Sequence, residues 1–195
     1  MNYPYFEQFK CEKHVPWPWQ KEQTRSEYFA LVRKSLVLLC FNTLILSPFL
    51  MAQNFPLYVA MGTKWDVESL PPFYVNVFQI SCFMVIEDCL FYWLHRFLHW
   101  GKIYGYIHKI HHQYKHTIGI AAEYAHPLEF VISNGLPFTV GPLVFGAHLS
   151  TIWMWLLLRI GETVDGHCGY EFPWSPYRLL PFSGSSSVHS KRSSK

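Results

Sequence analysis

"FYVNVFQISCFMVIEDCLFYWLHRFLHW", residues 73–100, is largely apolar from Phe73 to Ile86 and then gathers ionisable groups without losing helical spacing. With residues 84–100 helical, Asp88, Tyr92, His95 and His99 stand at i, i+4, i+7 and i+11, one stripe down a single face. A second cluster follows at once. "HRFLHWGKIYGYIHKIHH", residues 95–112, holds five of the chain's 11 histidines. On an expected second helix His108, His111 and His112 fall at i, i+3 and i+4 and again share a face. Neutral imidazoles aimed at a common point are what a transition metal needs, and imidazole suits iron, copper, nickel or zinc. Five exceed the four ligands of a tetrahedral zinc site, so two metals are the more natural reading. Glu87 and Asp88 sit where a carboxylate could hold the outer N–H of a ligand imidazole and set its tautomer. A lone histidine at a membrane interface is ordinarily a hydrogen-bonded structural residue, and His14, His116, His148 and His189 are placed in that class. The aromatic residues between the histidines read as an interfacial belt and packing surface.

The composition around this stretch agrees. Of 195 residues 50% are hydrophobic and 18% aromatic, while only 15% are charged, against roughly 25% in ordinary soluble domains. A net charge of +3 with no long basic run argues against a nucleic-acid partner. Five cysteines, odd in number and without C-x-x-C, argue against a disulfide framework or zinc ribbon and fit a reduced, cytosol-facing setting. The first thirty residues have no apolar h-region, so no cleavable signal peptide is expected there.

Two further apolar blocks flank the histidines. "SLVLLCFNTLILSPFLMAQNFPLYVA", residues 35–60, is long enough to cross a hydrocarbon core of about 30 Å, although Asn42, Pro48 and Asn54 make it an imperfect span. Leu128 to Ile160 is broken by "GLPFTVGPLVFG", where prolines forbid one straight helix, so a re-entrant segment or two-helix hairpin is expected. Lys21, Arg25, Arg33 and Lys34 precede the first block, and Arg96, Lys102, Lys109 and Lys115 lie among the histidines. The link "GTKWDVESLPP" balances Lys64 against Asp66 and Glu68. The positive-inside rule then puts the N-terminus and the histidines on the cytosolic side. The expected fold is all-α: polytopic membrane helices with a histidine-rich metal site at the cytosolic face. The expected organisation is a cytosolic segment 1–34, a membrane domain 35–182 and a polar disordered tail 183–195. His167, in "ETVDGHCGY", is expected to approach the cluster from the third block. His126, in "EYAHPLE", is a further candidate ligand, with the alternative that it ends a turn before Pro127.

The boxes H-x-x-x-H and H-x-x-H-H resemble those of the membrane-bound fatty acid hydroxylase superfamily of non-haem di-iron oxygenases. Within it the segments "VIEDCLFYWLHRFLH", "YGYIHKIHH", "EYAHPLEF" and "LLLRIGETVDGHCGYEFPWS" are similar to C-4 methylsterol oxidases, over about Ile80 to Pro181. The resemblance implies a multi-pass enzyme of the endoplasmic reticulum membrane. It implies iron as cofactor, electrons from NAD(P)H through cytochrome b5, and other enzymes of sterol C-4 demethylation as partners. The implied reaction is O2-dependent oxidation of a C-4 methyl group of a sterol precursor in sterol biosynthesis. A fatty acid or sphingolipid hydroxylase of the same superfamily, and a catalytically inactive protein that binds sterol or pathway partners, are the alternatives. A polytopic zinc-handling protein is a weaker third reading.

In one respect the sequence departs from the resemblance. Where the family pattern continues into a third box, H-D-x-H-H, the chain reads "SVHSKRSSK". The expectation is therefore a shortened form whose second metal has too few protein ligands. The 195-residue form is expected to enter the endoplasmic reticulum membrane, bind substoichiometric metal and show no methylsterol oxidation. Complementation of a strain lacking C-4 methylsterol oxidase checks this, and growth rescued to the level of a full-length control would overturn it.

Overall fold

The computed structural model describes residues 4–114 and 118–179. The expected tail at 183–195, with His189, and also Lys115 and His116, lie outside the described residues. Regular structure among the described residues is helical: α1 (Pro4–Glu7), α2 (Glu22–Phe41), α3 (Ser47–Ala60), α4 (Phe73–Leu98), α5 (Gly101–Tyr106), α6 (Pro127–Glu129), α7 (Leu136–Val144) and α8 (Leu149–His167), with short 3-10 and π turns between them. An isolated antiparallel bridge joins Lys10 to Tyr170.

The first apolar block begins earlier than its hydropathy suggested. α2 and α3 run on through a π turn, Asn42–Leu46, as one helical stretch Glu22–Ala60 of 39 residues. The polar residues 22–34 thus extend the same helix, because nothing in "EQTRSEYFALVRK" breaks it. The π turn sits just before Pro48, whose missing N–H cannot make an ordinary helical bond, and the wider turn absorbs that loss. Asn54 Nδ2 donates to Leu50 O at 2.8 Å, so its amide is satisfied by the helix's own backbone.

α4 has 26 residues, about 39 Å of rise against a hydrocarbon core of about 30 Å. Glu22–Ala60 and α4 are both long and apolar enough to cross a membrane. Their outward side chains fit that medium: Leu44, Phe49, Phe55, Phe73, Tyr74 and Phe78 are all exposed.

The third block resolves into a hairpin. α7 ends at Val144, Gly146 takes φ +52°, and α8 starts at Leu149. A side chain at Gly146 would run into the Met61 carbonyl, so the positive φ and the close approach both favour glycine. Leu149 N donates to Lys64 O at 2.9 Å, and buried His148 accepts from Ser150 N while its Nε2 lies 3.0 Å from Asp66 O. Pro142 stands inside α7 and leaves Phe138 O without its helical donor. The Trp155 indole N–H donates there instead, at 3.3 Å.

The chain divides into two compact units. The unit of residues 40–108 and 126–159 has its core at Phe83, Ala147 and Trp155. Within it the Thr151 hydroxyl donates to Asn76 Oδ1 at 2.6 Å, both residues buried. The other unit, residues 1–39, 109–125 and 160–195, centres on Tyr114, Ala121 and Tyr124. There the Ser35 hydroxyl donates to Leu31 O, so Tyr114 O–H donates to Ser35 Oγ at 2.7 Å. Glu171 N donates to Phe9 O and Cys11 N to Gly169 O, clasping the segment after α8 against the N-terminal residues.

α4 and α7 touch through a glycine. A Cβ on Gly141 would stand 3.1 Å from Phe83 Cα and 2.9 Å from its Cδ1. Small residues let helices approach in this way. Gly141→Leu is expected to destabilise the fold by about 1–3 kcal/mol through overpacking. Gly105→Ala in α5, where a Cβ meets nothing within 4 Å, should leave stability equal or slightly higher. Thermal unfolding of both variants in detergent checks the pair.

Candidate metal centre

His95 lies in the last turn of α4, and His99 caps that helix by donating its N–H to His95 O. The chain then turns at Trp100 and Gly101, which takes φ +40°. α5 brings it back, and His108 opens a 3-10 turn, His108–Gln113. His108 Nε2 stands 3.1 Å from His99 Nε2, which is itself 3.2 Å from His95 Nε2. The donor atoms of the three rings all lie within 4.8 Å of one another. Phe91 stacks on His95 and Tyr104 on His99, with interplanar angles of 25° and 18°, restraining both imidazoles.

Behind His108 lies a carboxylate. Its Nδ1 is 2.7 Å from Glu129 Oε1, and both side chains are buried. A carboxylate only accepts, so His108 donates from Nδ1 and its Nε2 presents a lone pair to the cluster. His99 Nε2, facing two neighbours, carries either one proton or one lone pair. With neutral rings at most one of its two contacts is then a hydrogen bond. A cation satisfies all three nitrogens at once, and separations of 3.1 and 3.2 Å match neighbouring donors on bonds of about 2.0–2.2 Å. The donor set therefore fits a transition metal.

Glu129 reaches His108 through a chain reversal. His126 accepts from Leu128 N through Nδ1 at 3.2 Å and caps α6, with Pro127 in its first turn. A π turn, Phe130–Gly135, follows directly.

Three more histidines gather in the other unit. The His111 and His167 rings have centroids 5.9 Å apart, and those of His111 and His112 are 5.6 Å apart. His111 donates from Nδ1 to Tyr124 O at 3.2 Å, and His167 from Nδ1 to Thr163 O at 2.8 Å. In both, the pinned Nδ1–H leaves the lone pair on Nε2. Burial pushes the His167 imidazole below its ordinary value, keeping it neutral and fit to bind a metal.

One feature differs from the reading of the sequence. The second box lies on a 3-10 turn, where i and i+3 eclipse, so His112 does not share the His108 face as an α-helix would have it. Glu87 Oε2 lies 2.5 Å from Arg159 Nε on α8. The carboxylate on His108 is Glu129, which the sequence reading passed over. Its only local signal is an acid in the first turn of the helix capped by His126.

Comparison with known proteins places this arrangement. A family model described as fatty acid hydroxylase matches residues 80–195. The chain belongs to the fatty acid hydroxylase family. Among its relatives, methylsterol monooxygenase 2-1 of Arabidopsis thaliana is 42% identical over 151 residues, covering 77% of this chain and 54% of the relative. A very-long-chain aldehyde decarbonylase of Oryza sativa subsp. japonica is also 42% identical, over 139 residues, 71% of this chain and 52% of the relative. A putative methylsterol monooxygenase of Dictyostelium discoideum is 38% identical over 186 residues, 95% of this chain and 65% of the relative. The chain spans about half the length of the first two. No solved structure matches it.

Glu123, beside the carbonyl that receives His111, supplies a pH test. Burial pushes its carboxyl above the ordinary value of 4.5. The folded state then binds the proton more tightly than the unfolded chain. This stabilisation is full below the ordinary value and is lost as pH rises through the raised one. Glu123→Gln, which cannot ionise, is expected to match the parent at about pH 4 and to unfold at a higher temperature at about pH 7. Thermal midpoints across that range check it.

Proposed function

We propose that this chain carries the metal centre of a C-4 methylsterol oxidase, a non-haem iron oxygenase of sterol biosynthesis. The observation that carries the reading is the convergence of His95, His99 and His108 at the end of a membrane-compatible helix. The methylsterol monooxygenase names among the relatives support the substrate class.

In this reading His95, His99 and His108 hold one iron. His111, His112 and His167 supply a second set of ligands, whereas His126 spends its Nδ1 lone pair on the Leu128 N–H, carries its proton on Nε2 and caps α6. Iron, when bound, supplies what no side chain can: O2-dependent oxidation of an unactivated methyl group. The chain's own residues do the rest. The acceptors on Nδ1 of His108, His111 and His167 set their tautomers, and burial keeps His167 neutral. Phe91 and Tyr104 fix ring orientation and keep water from the ring faces. The apolar helices admit a sterol from the bilayer. Three successive oxidations, each consuming one O2, two protons and two electrons delivered from NAD(P)H through cytochrome b5, carry the methyl through alcohol and aldehyde to carboxylate. Further enzymes of C-4 demethylation receive that acid at the endoplasmic reticulum membrane.

A second reading has a specific support. The aldehyde decarbonylase names at equal identity favour a long-chain aldehyde as the competing substrate for the same centre. The test uses a form whose sequence continues into an H-D-x-H-H box. It is expected to convert a 4,4-dimethylsterol to its C-4 oxidised products in an O2-dependent assay. His108→Ala and His112→Ala should each abolish turnover. Turnover of a long-chain aldehyde alone would favour the second reading, and full sterol turnover by His108→Ala would overturn the metal assignment.

A further inference from the structure

We propose that Glu129 is the positioning residue of the metal centre: its carboxylate orients His108, and its negative charge strengthens the His108 lone pair toward the metal. The inference rests on the metal reading above and extends it to a residue outside the histidine boxes.

The geometry separates this role from that of a ligand. Glu129 Oε1 meets Nδ1 of His108, whereas His99 and His95 gather on its Nε2. The two ring nitrogens point away from each other, so a carboxylate on Nδ1 stands behind the ring and out of reach of an ion on Nε2. What Glu129 does instead is fix which nitrogen carries the proton and how the ring is turned. A carboxylate behind a ligand imidazole also raises its basicity.

Burial gives this contact its weight. His108 is fully buried and Glu129 is 4% exposed. Glu129 Oε2 is buried without a hydrogen-bond partner among the described residues. A carboxylate held in low dielectric with one oxygen unspent is costly to keep. Its charge is offset most directly by a cation on the far side of the ring it touches. The backbone nearby is specialised to present it: the His126 cap sets the start of α6, Pro127 fixes the first turn, and the π turn at Phe130–Gly135 follows immediately. π turns occur often at functional sites.

The test uses the 195-residue chain in detergent with Co(II) alone as probe, since its d–d absorption reports the ligand set. Glu129→Gln keeps the shape and an acceptor for the His108 N–H but removes the charge. Glu129→Leu removes the acceptor as well. Co(II) affinity is expected to fall by roughly 10-fold in the first and toward 100-fold in the second, with a shifted d–d spectrum in Glu129→Leu. Exposed Glu68→Gln serves as the unchanged control. The thermal midpoint without metal and its rise on adding Co(II) are read separately for each variant. A lower metal-free midpoint with an unchanged rise and spectrum means a structural role and overturns the proposal. If Glu129→Leu fails to fold, Glu129→Gln decides: unchanged affinity overturns the proposal, and reduced affinity with an intact metal-free midpoint supports it. His95→Ala separates the two levels. Parent protein that takes up no Co(II) defeats the metal reading itself. Parent binding that is lost in His95→Ala but unchanged in Glu129→Gln defeats only this inference.

Discussion

The 2.7 Å contact between His108 Nδ1 and Glu129 Oε1 is the constraint on which the histidine cluster depends. It joins residues 21 apart in sequence and decides the chemical state of the ring between them. Once Nδ1 carries the proton, Nε2 has only a lone pair to offer, and His99 and His95 converge on that side. Three ring nitrogens at such separations make poor hydrogen-bond partners for one another and a good donor set for a metal. The same logic recurs at His111 and His167, where backbone carbonyls in place of a carboxylate accept the Nδ1 proton.

The helices solve one recurrent problem, that of satisfying polar groups where water is scarce. Phe138 O, deprived of its helical donor by Pro142, takes the Trp155 indole N–H. Ser35 gives its proton to the backbone one turn earlier and its lone pair to Tyr114. Asn76 and Thr151 meet inside one unit, and Glu87 meets Arg159, whose guanidinium also lies 5.7 Å from the Trp155 ring centroid. Each pairing joins segments far apart in sequence and gives helix packing a direction that apolar contact alone lacks in lipid. Glycine does the complementary work at Gly141, where only a missing side chain lets α7 reach Phe83.

Much of this was legible before any coordinates. The stripe of Asp88, Tyr92, His95 and His99 sits on a helix because apolar periodicity is local and survives into the fold. The prolines expected to break the third block stand within α7, but the break was legible from Gly146, which takes a positive φ there. The early start of the first helix was not. Hydropathy registers the apolar core of a helix and is silent about a polar first half such as residues 22–34. The 3-10 turn at His108–Gln113 was also illegible, because H-x-x-H-H has no apolar rhythm to distinguish one helical pitch from another.

The sequence by itself determined that this protein is helical, that two of its helical stretches can span a bilayer, and that its imidazoles are spaced to converge. These properties are set by residues within a few turns of one another. Only the tertiary structure decided which carboxylate serves His108. Glu129 wins because a turn at Gly101 and a cap at His126 fold two distant segments onto one point, and a pairing made by chain reversal leaves no periodic trace in the sequence.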